Sequence, residues 1–247
     1  MPRDWDAETY DAIADPQFRW GSAVVDRLQL GGDETVLDAG CGSGRVTTLL
    51  AERLPRGHVV ALDGSASMLE TARRRLAPFG DRIRFVLGDL MLPIPIAEPV
   101  DAILSTATFH WVPDHDALFA HLAAVLQPAG RLVAQCGGAG NLATVVRALE
   151  ELGADPFTGK VFGTPERTAE RLRASGFVDV DCWLHTEPTS FETLGALETF
   201  LRTVALGDHV KTMTDEEAAA FTQAVAARLP RLELDYVRLN IDARLAG

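Results

Sequence analysis

The feature that most constrains this chain is a glycine-rich turn at the end of an apolar run. Residues 36–45 read VLDAGCGSGR, with glycine at 40, 42 and 44. Glycines at alternate positions let the backbone turn sharply and leave room for a ligand to approach the strand end. Around this turn, apolar runs at 35–39, 58–62, 83–87, 100–106 and 131–136 read as strands, and the spacing of apolar residues at 46–54, 68–76 and 117–126 predicts helices. Such alternation signals βαβ units and a parallel sheet, and near-continuous apolar strands fit a sheet covered on both faces. Further on, helices are expected at 141–152, 165–175, 191–206 and 215–229, with strands at 177–186 and 234–241. The aromatic-rich stretch 1–30 reads as a helical lid, and the helical stretch at about 190–230 as a cap inserted into a domain spanning 31–247.

At 247 residues the chain suits one large domain, or one core with a small cap. Its 23 basic and 35 acidic residues give a net charge of −12, which disfavours nucleic acid and anionic membranes as partners. Cys41, Cys136 and Cys182 offer neither zinc spacing nor a disulfide framework, so a reducing cytoplasm is the expected setting. The start of the chain, MPRDWDAETYD, lacks the apolar stretch of a signal peptide, and no run approaches a membrane span.

The turn is not a dinucleotide fingerprint. Arg45 or Thr47 stands where G-x-G-x-x-G needs its last glycine, and no Lys-Ser/Thr pair follows. What precedes the glycines is an acid, Asp38, which opposes a pyrophosphate and suits a cation such as an amino group. Asp63 ends the second strand, where an acid can accept both ribose hydroxyls. Asp89 follows the third, placed for the exocyclic amine of adenine. Each acid alone could be a cap or turn residue. Together they form a lip suited to a nucleoside that carries amino groups and no phosphate.

The pattern D-x-G-x-G-x-G over 38–44, followed by Asp63 and Asp89, resembles the class I S-adenosylmethionine-dependent methyltransferases over about residues 30–140. The resemblance implies a Rossmann-like, mostly parallel seven-stranded sheet between helices, with the last strand antiparallel. It implies S-adenosylmethionine as methyl donor, S-adenosylhomocysteine as product, and no metal. Carried over residue by residue, Gly40, Cys41, Gly42 and Gly44 would line the methionine part, and Asp63 with Gly64 the ribose. Asp89 and Leu90 would border adenine, and Met68 would pack on its ring or simply in the core.

The end of the fourth strand, STATFHWVPDH at 105–115, is the second signal. Ser105 should face the sulfonium. A metal set from His110, Asp114, His115, Asp116 and His121 fails on spacing, because the histidines do not share a helical face and the acids suit N-capping. The His110-Trp111 pair resembles the loop of trans-aconitate and juvenile-hormone-acid carboxyl O-methyltransferases. That resemblance puts Gln17 and Trp111 on the substrate carboxylate, and both are N–H donors able to orient an anion. Either could instead be an ordinary packed or surface residue.

A carboxylate is ionised near neutral pH and needs no base. For a hydroxyl, nitrogen or carbon acceptor, His110 would be the base. Trp5, Tyr10, Phe18, Trp20 and Phe109 could build the acceptor pocket. The expected activity is methylation of a small organic acid by a monomer or homodimer. Another natural-product acceptor, or binding without turnover, stays open. Nucleic-acid methylation is disfavoured by charge and by the lack of an Asn/Asp-Pro-Pro-aromatic loop after the fourth strand.

Overall fold

The computed structural model describes residues 15–156 and 159–247, with residues 15–19 described by their backbone alone. The chain divides into two compact units: Met1–Ala139 with Gly159–His185 and Arg238–Gly247, and Gly140–Thr158 with Thr186–Val237. No described helix is long and apolar enough to cross a membrane.

In the first unit, α1 (Asp15–Arg27) precedes β1 (Thr35–Ala39), α2 (Arg45–Arg53), β2 (His58–Asp63), α3 (Ala66–Leu76), β3 (Ile83–Leu87) and β4 (Val100–Thr106). A short 3-10 turn, Phe109–Trp111, leads into α4 (His115–Ala124) and β5 (Leu126–Gly137). In chain order, α5 (Ala143–Glu151) then belongs to the second unit, and α6 (Pro165–Ala174) and β6 (Phe177–Thr186) follow it. The sheet order is β3-β2-β1-β4-β5-β9-β6, where β9 is Val237–Leu245. The pairs β1–β2, β2–β3, β1–β4 and β4–β5 are parallel, and β9 runs antiparallel to β5. The expected seven-stranded sheet with an antiparallel last strand is therefore present.

Chain direction across the sheet reverses between β1 and β4. In an open α/β sheet, ligands bind outside the carboxyl ends of the strands at such a switch point. The glycine turn after β1 and the His110 turn after β4 both lie there.

Both faces of the sheet are covered. Val24, Val25 and Leu28 of α1, Leu50 of α2 and Leu69 of α3 pack with Val36, Leu104 and Val133 on one face. Leu118, Phe119 and Leu122 of α4 and Leu172 of α6 pack with Leu37, Ile103 and Leu132 on the other. Each fully buried leucine contributes roughly 1.5–3 kcal/mol. The helices begin where side chains satisfy the first free N–H groups. Ser65 accepts from Met68 N, Asp114 from Asp116 N and Ala117 N, and Thr164 from Arg167 N ahead of Pro165.

Some boundaries differ from the sequence reading for tertiary reasons. The helix expected at 117–126 ends at Ala124, because Val125 O accepts Val100 N and Leu126 pairs with Val100. The ladder shifts register before Arg131 meets Ala102, and Ala129 takes a positive φ of 62° there, so β5 starts well before residue 131. The helix expected at 191–206 becomes α7 (Leu194–Phe200) followed by a π-turn, Leu201–Ala205. Phe191 N is taken by Leu232 O, so the chain there is still extended.

The second unit contains α5, β7 (Thr189–Ser190), α7, α8 (Gly207–Val210), α9 (Asp215–Ala226) and β8 (Glu233–Leu234), with β7 and β8 antiparallel. Two stretches distant in sequence make it, and Asp235 joins them. Its carboxylate accepts Thr144 N at 3.0 Å and Thr144 Oγ1 at 2.6 Å at the start of α5, and its carbonyl accepts Leu142 N. The same link breaks the strand expected at 234–241 into β8 and β9. Phe200 packs against Phe191 at 5.2 Å and edge-on to Tyr236 at 6.5 Å.

Candidate active site

The turn after β1 is tied to the end of β2. Gly40 N and Cys41 N both donate to Leu62 O, and Gly42 N donates to the Asp63 carboxylate at 2.8 Å. Gly40 has φ 89°, and a Cβ there would stand 2.2 Å from Thr108 Oγ1. That glycine admits the turn after β4, whose Thr108 hydroxyl donates to Gly40 O at 3.2 Å. Gly42 differs: its φ is 54°, and a Cβ would meet nothing within 4 Å, so its face is open. Gly44 opens α2 in the left-handed conformation.

Asp38 is 1% exposed. Its Oδ2 accepts Thr47 Oγ1 at 2.7 Å, while its Oδ1 is buried without a hydrogen-bond partner among the described residues. Burial pushes this carboxyl up to about 7, against the Thr47 bond, and the Asp63 charge adds to the rise. A buried acceptor with an empty lone pair calls for a donor, and a cationic one would return the acid to its ionised form.

Asp63 holds its own turn. Its Oδ1 accepts Ser65 N at 2.8 Å and its Oδ2 accepts Gly42 N. Burial lifts its pKa although backbone donors at Ser65, Gly42 and Gly64 pull the other way. Asp89, half-buried, accepts Met91 N at 2.9 Å and so shapes the turn after β3 beside buried Leu90. Met68 is buried on α3. The Cys41 Sγ–H points to Gly42 O at 3.6 Å, and burial raises its pKa, so it is a packed thiol and no nucleophile. Ser105 donates its hydroxyl to Ala39 O at 2.7 Å, fastening β4 to β1.

The turn after β4 splits its aromatic residues. Phe109 enters the core, edge-on to Phe119 at 6.0 Å. His110 and Trp111 stay half-buried, their rings 5.3 Å apart. His110 Nδ1 accepts Gly137 N at 3.3 Å, so a neutral ring carries its proton on Nε2. Burial, together with the charges of Arg238, Lys160 and His115, keeps the pKa of His110 well below its usual value.

His115 donates from Nε2 to Phe109 O, and His121 from Nδ1 to Leu90 O. These imidazoles serve the main chain. Among the described residues no three His, Cys, Asp or Glu side chains are grouped to hold a metal ion.

Trp20, on α1, is 7% exposed and lies under the Arg238 guanidinium at 4.6 Å from the ring. Trp5 and Tyr10, and the side chains of Gln17 and Phe18, lie outside the described residues.

Sequence reasoning missed two contributors to this site. The segment around 159–163 straps the His110 turn: Val161 N donates to His110 O at 2.9 Å, Phe162 stacks on the His110 ring at 5.9 Å, and Lys160 Nζ sits 4.2 Å over Trp111. Arg238 is the second. Its signal was available, since Arg238, Asn240 and Asp242 alternate along an otherwise apolar strand and so share one face.

Residues 36–130 match the family model described as a methyltransferase domain. A trans-aconitate 2-methyltransferase of Azoarcus sp. (strain BH72) is 29% identical over 231 residues, covering 90% of this chain and 88% of the relative. Another, from Methylobacterium nodulans, is 33% identical over 73% of this chain and 67% of the relative. The fold matches a Haemonchus contortus N-methyltransferase solved with S-adenosylhomocysteine, with a TM-score of 0.66, 18% identity, and coverage of 98% of this chain and 57% of that one. Fold, motif and relatives agree: the chain belongs to the S-adenosylmethionine-dependent methyltransferase family.

Proposed function

We propose that this methyltransferase esterifies a carboxylate of a small organic acid. One observation carries the reading: His110 gives its Nδ1 lone pair to Gly137 N, which leaves Nε2–H as the group it can offer. A ring so arranged donates and does not abstract. The Trp111 ring lies beside it, 5.3 Å away, so the turn after β4 groups two N–H-bearing rings. Relatives named trans-aconitate 2-methyltransferase support the choice of an acid.

The residues present fit the methyl donor. Asp38 Oδ1, buried and unpaired among the described residues, suits an amino group, the open face at Gly42 gives room, and Asp63 and Asp89 sit at the ends of β2 and β3. When bound, S-adenosylmethionine supplies an electrophilic methyl group on a cationic sulfur. The chain's own work is placement. The acceptor carboxylate is ionised near neutral pH and needs no base, so alignment and exclusion of water are the large terms. The segment around 159–163 packs on both rings and hydrogen-bonds the His110 carbonyl. Cys41, Cys136 and Cys182 are free thiols, which supports a reducing, cytoplasmic setting.

The test is ester formation on trans-aconitate, followed by mass spectrometry across pH 6–9. A rate flat in pH, with His110→Asn retaining most of it and His110→Ala losing about tenfold for one donor, is the expected result. A rate rising with pH through the histidine range, with both variants down by about 10²–10⁴, would show base catalysis and sink the reading.

A further inference from the structure

Two neighbouring threonines lie in the first turn of α2, and their hydroxyls do different things. Thr48 Oγ1 donates to Gly44 O at 3.0 Å, the ordinary bond of a helical threonine to the carbonyl four residues back. Thr47 Oγ1 instead leaves the helix and donates to Asp38 Oδ2 at 2.7 Å, and the whole residue is buried. Thr47 is also the residue that breaks the dinucleotide spacing counted from Gly42. A glycine in its place would take this donor away from Asp38.

The surroundings of Asp38 make the bond matter. On the central strand β1, Asp38 stands in register with Ala61 of β2 and Leu104 of β4, and it shares a face with Val36. All three neighbours belong to the apolar cluster that includes Leu50 of α2 and Leu69 of α3. Among the described residues Thr47 is the one hydrogen-bond donor to this carboxyl, and Oδ1 has no partner. The titratable groups that act on it are Asp63 from β2, whose charge raises its proton affinity, and the Cys41 thiol of the glycine turn, which burial keeps protonated. A lone carboxyl in an apolar site holds its proton, and a fixed donor shifts it back towards the anion. A donor fixed on Oδ2 also decides which oxygen is left over.

We propose that Thr47 is a positioning residue for the methyl donor: its hydroxyl occupies Asp38 Oδ2, reserves Oδ1 for the donor's ammonium group, and lets binding expel the Asp38 proton to solvent. The assignment rests on the reading that the amino group meets Asp38. In the unliganded protein a pH-dependent fraction of molecules carries a carboxylic acid at position 38. In the complex that group is a carboxylate against an ammonium that keeps its own protons, and the difference passes to the buffer. The carboxyl of the unliganded protein ionises at about 7, so release is about one proton at pH 6, about half at pH 7 and about a tenth at pH 8. Affinity for S-adenosylhomocysteine, which carries the same amino group, therefore climbs about tenfold from pH 6 to pH 8.

The experiment titrates S-adenosylhomocysteine calorimetrically into the full chain from pH 6 to pH 8. Pairs of buffers with different heats of ionisation give an affinity and a count of released protons at each pH. Wild type shows the release just described, and Asp38→Asn shows none of it, with an affinity flat in pH. Thr47→Val keeps the shape and removes the hydroxyl. It should move the release curve up by about one pH unit, and weaken binding about tenfold at pH 6 but only about twofold at pH 8. Thr47→Ser restores both, and Thr47→Ala reports the same shift should the valine variant not fold. A merely structural role would lower affinity by one factor at every pH and leave the release curve in place, and that result overturns the assignment of Thr47 alone. If Asp38→Asn binds and releases protons as wild type does, the amino group does not meet Asp38, and that reading falls together with the assignment.

Discussion

Replacing Asp38 with Asn separates what that carboxylate costs the empty protein from what it gives to the ligand. In the folded chain, burial lifts its pKa from 3.8 to about 7. A folded-state value above the unfolded one means that the native state binds more protons in that window. Its stability therefore falls as pH rises from about 4 to 7 and levels off above. At 1.36 kcal/mol per pKa unit, the ionised Asp38 costs the unliganded fold about 4 kcal/mol at pH 8 and less than half of that at pH 5. Asn is isosteric, keeps an acceptor for Thr47 and carries no charge. Urea denaturation should therefore find Asp38→Asn more stable than wild type by roughly 2–4 kcal/mol at pH 8, after allowing for an unpaired amide. The gain should shrink by more than half at pH 5. Calorimetry should find S-adenosylhomocysteine, which carries the amino group, bound about 10–100-fold more weakly, as loss of a charge-assisted hydrogen bond requires. A stability difference that does not change between pH 5 and 8, or undiminished ligand affinity, would refute the reasoning.

Other substitutions probe the frame around the site. Gly40→Ala puts a Cβ into Thr108 at a φ of 89°, so it should destabilise the protein by about 2–4 kcal/mol and abolish ligand binding, whereas Gly40→Ala with Thr108→Gly should recover part of the stability. Arg27→Met strips α1 of its ion pair with Asp242 and of two further bonds, and thermal unfolding should show a loss of about 3 kcal/mol. Asp235→Ala removes the cap of α5, at a cost of about 1 kcal/mol, and limited proteolysis should first cut within the second unit. His110 resists protonation in the fold, so its contribution to stability is lost as pH falls below the ordinary histidine range, and NMR should find its ring neutral, with the proton on Nε2, at pH 6.5.

How much was legible in the sequence follows from the range of the interactions involved. The strands at Thr35–Ala39, Ile83–Leu87 and Val100–Thr106 were readable to the residue, because a buried parallel strand is an apolar run bounded by turn residues. The glycine turn announced itself because residues with positive φ exclude most side chains, and Asp38, Asp63 and Asp89 because acids at strand ends are few. The cap at Asp114 is likewise local, since it serves N–H groups two or three residues away, whereas apolar spacing alone started α3 at 68, past its Ser65 cap.

The rest needed the tertiary structure. Helical spacing carried past Ala124, and only pairing with Val100 shows why the chain leaves the helix there. That Gly40 makes room for Thr108, that Ser105 and Asp63 hydrogen-bond to the main chain, and that His110 is a donor are all set by partners remote in sequence. Arg238 is the clearest case: it lies 103 residues from Gln135, and its place beside the His110 turn exists only through the antiparallel pairing of β5 with β9. Periodicity and turn chemistry act over a few residues and can be read along the chain. Burial, proton affinity and the tautomer of a ring depend on what the fold brings alongside, and those neighbours are chosen only when the sheet closes.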